Sequence, residues 1–166
     1  MELMPIPFAF ARDHVSLAWP EVIWAYRNGW FDAAGVVEYA VSVLGEDHSD
    51  IPQEIVDLAA LAPSEFAKVP AMLEKAAKII EPFDQSASGR RLLFLILFWV
   101  YENRSELQDP LGIVEGLYAD FGYPPEVRSF VRYMPPDENY EPTAHSFAEN
   151  EKRLFDRWEA YLRSSI

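Results

Sequence analysis

Arg90-Arg91-Leu92-Leu93-Phe94-Leu95-Ile96-Leu97-Phe98-Trp99-Val100-Tyr101-Glu102-Asn103-Arg104 is the stretch whose reading decides the fold. From Leu92 to Val100 every side chain is apolar, so a helix here has no polar face. A helix that is apolar all round needs neighbours all round. The run covers only about half of the roughly 20 residues that a bilayer span requires, and charges flank it closely. The expectation is therefore the buried central helix, roughly Gly89 to Leu107, of a non-membrane protein.

Working outward, the flanking chain reads as more helices. Leu17, Trp19, Val22, Ile23 and Tyr26 recur at helical spacing, and Asn28-Gly29 is a good stop. Asp32 caps a second helix striped by Val36, Val37, Ala40, Val41 and Leu44, which Gly45 ends. Asp50-Ile51-Pro52 reads as a cap with an early-turn proline before Ile55, Leu58, Ala59 and Leu61. Pro70 restarts a helix through Leu73, Ala76 and Ile80. Beyond the central helix, Asp109-Pro110 joins a capping carboxylate to a first-turn proline. Glu126 to Met134 and Thr143 to about Arg163 read as two further helices.

Met1 to Val15 reads as an irregular arm, because Pro5 and Pro7 interrupt regular structure. Strands are conceivable only at Val36-Val37 and in the Phe8–Phe10 arm. The clearest break is Glu81 to Gly89. It reads as a loop inside one domain, since neither half easily buries the central helix alone. The expected architecture is all-α: residues 1–166 as a single bundle of seven or eight helices.

Net charge narrows the partners. Asp and Glu number 27 against 14 Lys and Arg, a formal charge of −13. Phosphate backbones and anionic membrane surfaces are repelled by such a chain. The chain has no cysteine, which removes disulfides, thiolate metal sites and a cysteine nucleophile together. The N-terminus lacks the basic-then-apolar pattern of a signal peptide, so a cytoplasmic protein is expected.

No catalytic signature stands out. Asp120-Phe121-Gly122 spells the kinase magnesium tripeptide, but the Gly-rich loop, strand lysine and catalytic loop are missing. Phe121 as a packing residue and Gly122 as a helix stop suffice. His14, His48 and His145 are far apart and have no partner at metal-ligand spacing. Neither cofactor nor metal is expected. The acidic loop around residue 50 also lacks the glycine and glutamate positions of an EF-hand.

Two constellations suit protein binding. The first is Glu46, Asp47, Asp50, Glu54 and Asp57, in one loop and the turns after it. Helix-dipole stabilisation explains Asp50 and Glu54 by itself. It does not explain why, up to residue 67, the only basic residues are Arg12 and Arg27. Such a concentration speeds capture of a cationic surface. The second is Tyr118, Asp120, Tyr123, Tyr133, Asp137 and Glu138, with Tyr140 beside it. Tyrosines among carboxylates suit arginine or lysine, although tyrosines commonly bury their rings instead.

Three stretches resemble a bacterial family of small, acidic, uncharacterised proteins. They are Gly29-Trp30 with Tyr39-Ala40; Trp99-Val100-Tyr101-Glu102-Asn103 with Asp109-Pro110-Leu111; and Tyr118 to Pro124 running on to Arg132-Tyr133-Met134-Pro135. The resemblance implies immunity proteins of contact-dependent or polymorphic toxin systems, and with that a protein lacking an active site.

The expectation is a non-catalytic protein-binding module, an immunity-type inhibitor covering a basic toxin surface. The alternative is an enzyme or small-ligand binder whose pocket is lined by Trp, Tyr and acids. Convergent carboxylates of raised pKa in a deep pocket favour that alternative. A third option, a structural subunit, calls for a large exposed apolar patch.

Overall fold

A computed structural model describes residues 4–45, 50–136 and 139–165, with the backbone alone at residue 87. Every regular element among the described residues is a helix, so the fold is all-α. The chain divides into two compact units, Met1–Phe83 and Asp84–Ile166. The division falls inside the proline- and serine-rich break read from the sequence.

In the first unit, helix α1 spans Phe8–His14, α2 Trp19–Arg27, α3 Ala33–Leu44, α4 Gln53–Ala59 and α5 Val69–Ala77, with a 3₁₀ segment at Pro63–Lys68. Helix α3 is the hub, touching α1, α2, α4, α5 and the 3₁₀ segment. Its mean hydropathy is high, and Val36 and Ala40 have no exposed surface. Asp32 caps it as expected, accepting from the Gly35 N–H at 2.8 Å. Ile55, Leu58, Val69, Leu73 and Ala76 from α4 and α5 are also fully or nearly fully buried.

The N-terminal arm departs from the expectation of irregular chain. Pro7 is the N-cap of α1, so the proline precedes a helix rather than preventing one. The two conceivable strands, at Phe8–Phe10 and Val36-Val37, both lie in helices. Ile6, buried, donates its N–H to the Trp30 carbonyl at 2.7 Å and ties the arm down. Helix α4 starts two residues late, with Pro52 rather than Asp50 at its N-cap.

In the second unit, α6 spans Gln85–Ser88, α7 Arg90–Glu102, α8 Pro110–Asp120 and α9 Phe147–Ser164, with 3₁₀ turns at Arg104–Glu106, Arg128–Phe130 and Pro142–Ala144. Helix α7 holds the continuous apolar stretch of the chain. Leu92 to Leu97 are buried at six consecutive positions, which takes in every side of the helix. Within its unit α7 packs on α8 and α9. It begins at Gly89, where a Cβ would stand 2.5 Å from the Gln85 carbonyl and 2.7 Å from the Phe121 ring. Asn103 ends it earlier than expected, and a 3₁₀ turn follows.

Trp158 of α9 is fully buried. Its ring lies parallel to Phe130 at 6.0 Å, nearly parallel to Phe155 at 5.8 Å, and edge-on to Tyr101 at 5.3 Å. The expected helix from Glu126 to Met134 is only the Arg128–Phe130 turn: Pro125 and Pro135 bracket a run too short to sustain a helix on its own, and Pro135 disfavours helical backbone at Met134. Helix α9 begins at Phe147 rather than Thr143. Ser146 and Glu149 form its capping box, with the Glu149 N–H donating to Ser146 Oγ at 3.1 Å.

Candidate functional site

Of the two constellations expected from the sequence, the structure assembles part of the second. Helix α8 ends at Asp120, and Phe121 is fully buried beneath its C-terminus. Gly122 then turns left-handed at φ +76°, and Tyr123 follows it at φ +59°. The Tyr123 N–H donates to the Tyr118 carbonyl at 2.7 Å, closing the helix. A left-handed backbone costs a non-glycine residue roughly 1–2 kcal/mol. Here it turns a tyrosine outward: Tyr123 is 60% exposed.

Tyr133 arrives on the far side of Pro124-Pro125 and is 55% exposed. Both rings meet Tyr118, which is buried. Tyr123 stands edge-on to it at 5.2 Å, and Tyr133 lies tilted at 6.2 Å. Partial removal from water raises the Tyr133 hydroxyl above its usual range, and Tyr118, Tyr123 and Glu115 nearby add to the rise. The residue before it, Arg132, is held by Asp109 and by Glu115. Asp120 is exposed at the end of the same helix. Asp137 and Glu138 lie outside the described residues.

The acidic constellation belongs to the first unit. Glu46 and Asp47 lie outside the described residues. Asp50 is exposed ahead of α4, Glu54 is half-buried in its first turn, and Asp57 is exposed, accepting from Gln53 Nε2 at 2.8 Å. Helix capping therefore does not occupy Asp50, whose side chain remains at the surface.

Two carboxylates, Glu149 and Asp156, share an open hollow with Tyr140 and His145, but Lys152, Arg153 and Arg157 line it too. In the first unit a cavity of about 220 Å³ lies between α1 and α3, lined by Phe8, Arg12, Leu17, Phe31, Tyr39 and Ser42 among others, with no carboxylate. Tyr39 spends its hydroxyl there on the Leu17 carbonyl, at 2.6 Å. The carboxylates whose titration is displaced move downward. Lys68 lowers Glu65, Arg132 lowers Asp109, and the Ser146 backbone lowers Glu149. These are ionised groups held by partners, the opposite of a proton-donating acid. Among the described residues no three His, Asp or Glu side chains gather closely enough to hold a metal, and no helix is long and apolar enough to cross a membrane.

Sequence reasoning missed a groove of about 280 Å³ in the second unit. It is built from the start of α8, the chain around Val131 to Pro136, the Pro142 turn and the first turns of α9. No periodicity links such separate segments. Phe147, directly after the Ser146 cap, is 81% exposed there.

A family model described as "Uncharacterized protein conserved in bacteria (DUF2247)" matches residues 8–166. No curated protein and no solved structure matches the chain.

Proposed function

The chain belongs to this conserved bacterial family, and from that premise we propose that it is a protein-binding module with no reaction centre of its own, an immunity-type inhibitor of a basic toxin. The observation that carries the reading is the exposure of Tyr123 and Tyr133 around the buried Tyr118, beside the exposed Asp120. Large rings left in water, one of them on an unfavourable backbone, are costly to a lone molecule. They are the groups that anchor protein interfaces once covered.

The net charge of −13 supplies the other half. A cationic partner is drawn in by long-range attraction, and residence time then comes from the tyrosines. Asp50, Glu54 and Asp57 contribute to capture, with Glu46 and Asp47 completing the same acidic stretch of sequence. The inhibitor form of the reading rests on the family resemblance carried by Trp99 to Asn103 and Tyr118 to Pro124.

The test is to co-express the chain with any toxin-domain protein found to be encoded beside its gene. Restored growth of the host, lost in the Tyr123→Ala/Tyr133→Ala variant, supports the reading. Absence of any such neighbouring gene, or growth inhibition that co-expression leaves unchanged, overturns it.

A further inference from the structure

The groove in the second unit has a chemistry opposite to the rest of the chain. Its floor and walls are apolar: Leu111, Met134, Pro135, Phe147 and Leu154. At its edge stand Arg128 and Arg153, and neither makes an ion pair among the described residues. Arg132, which also lines it, is already neutralised by Asp109 and Glu115.

Arg153 is fixed rather than mobile. Its guanidinium lies 4.0 Å from the centre of the Tyr140 ring. That ring is held in turn: the Tyr140 hydroxyl donates to Asn150 Oδ1, and Asn150 Nδ2 donates to the Pro142 carbonyl at 3.0 Å. His145 also stacks parallel to the ring at 4.7 Å. A guanidinium flat on an aromatic face keeps its N–H edge available for an anion. Among the described lining residues Glu151 is the one carboxylate, so the cations outnumber it there even with Arg132 set aside.

We propose that this groove binds a small organic carboxylate with an apolar body, its ring or chain against Phe147 and Leu154 and its carboxylate on Arg153 and Arg128. Size favours a free small molecule. The volume lies near the lower bound of about 300 Å³ for ligand pockets, too small for a helix or a folded surface. Charge favours a carboxylate, because a pre-positioned arginine that has no counter-ion among the described residues is matched by one. An apolar body accounts for Phe147, whose exposure α9 itself does not require. The inference is independent of the toxin-binding reading and concerns a different set of side chains.

The experiment is a titration of the full chain followed by amide chemical shifts, with 3-phenylpropionate, its neutral analogue 3-phenylpropanol, and acetate as probes. The expected result is saturable binding of 3-phenylpropionate with shifts at Phe147, Leu154 and Tyr140. The alcohol should bind at least tenfold more weakly, and acetate should not saturate. Arg153→Gln should weaken the acid at least tenfold, with Arg153→Lys intermediate. Arg128→Gln and Phe147→Ser, both at exposed positions, serve if Arg153→Gln alters the melting curve. Equal binding of acid and alcohol, binding indifferent to these substitutions, or no saturable binding by the acid would overturn the proposal.

Discussion

Arg132 grips Asp109 with both terminal nitrogens, Nη1 to Oδ1 at 3.0 Å and Nη2 to Oδ2 at 3.1 Å. Asp109 is at the same time the N-cap of α8, accepting from the Gly112 N–H at 3.2 Å. One carboxylate therefore starts the helix that carries Tyr118 and fastens the turn that carries Tyr133. Asp109→Ala should cost about 1 kcal/mol through the lost cap. The ion pair adds less, because both partners are over a third exposed. Urea unfolding measures the loss, and the Tyr133 ring signals should broaden in the same variant.

The same residue sets a pH dependence. The hydrogen bond from Arg132 lowers the Asp109 pKa in the folded chain. Its stabilising contribution is therefore present above the unfolded value of about 3.9 and is lost as pH falls through the lower folded value. The stability gap between the natural chain and Asp109→Asn should shrink between pH 6 and pH 3. A gap that stays constant in urea titrations at those two pH values contradicts the assignment.

Tyr123 separates binding from stability. Asparagine accepts the left-handed conformation that Tyr123 is forced into at φ +59°. Tyr123→Asn loses the edge contact with Tyr118 but relieves the backbone, so the two effects, each about 1 kcal/mol, should nearly cancel. The melting temperature should hardly move while affinity for the partner falls.

Gly122 has no such latitude. It sits at φ +76°, and an added Cβ would lie 2.8 Å from the Ser86 Cβ. Gly122→Ala should destabilise by about 2 kcal/mol or more, from backbone strain and overpacking together. Calorimetry reads the shift directly.

Trp158 tests the core of the second unit. It is fully buried among Phe130, Phe155 and Tyr101, and its indole N–H has no hydrogen-bond partner among the described residues. Trp158→Ala should cost about 3–5 kcal/mol. Trp158→Phe should cost far less, because no hydrogen bond is lost and a buried N–H is removed. Guanidinium unfolding of the two variants distinguishes them.

The residues that were legible in the sequence act locally. Leu92 to Leu97 announce a buried helix because no face is polar, and Asp32 and Asp109 announce caps because each precedes its helix by one residue. Misread elements involve proline, which starts a helix at Pro7 and shortens one after Pro125. Pro7 stands before α1, where its missing N–H costs nothing, whereas the stretch after Pro125 is closed again at Pro135, which disfavours helical backbone at Met134. The tyrosine grouping was suggested by composition, yet which rings are exposed depends on Gly122 and Tyr123 turning left-handed. Arg132 and Asp109 are 23 residues apart, and the groove draws on separate segments, so neither leaves any periodic trace.

The central claim is that carboxylates of the first unit speed capture of a basic protein and that tyrosines of the second unit hold it. Stopped-flow association and dissociation at low salt, with a toxin domain that co-expression shows this chain to neutralise, tests it most directly. The account predicts that Asp50→Lys/Glu54→Lys/Asp57→Lys slows association at least tenfold, and that Tyr123→Ala/Tyr133→Ala speeds dissociation at least tenfold. Rates that match the natural chain in both variants contradict it.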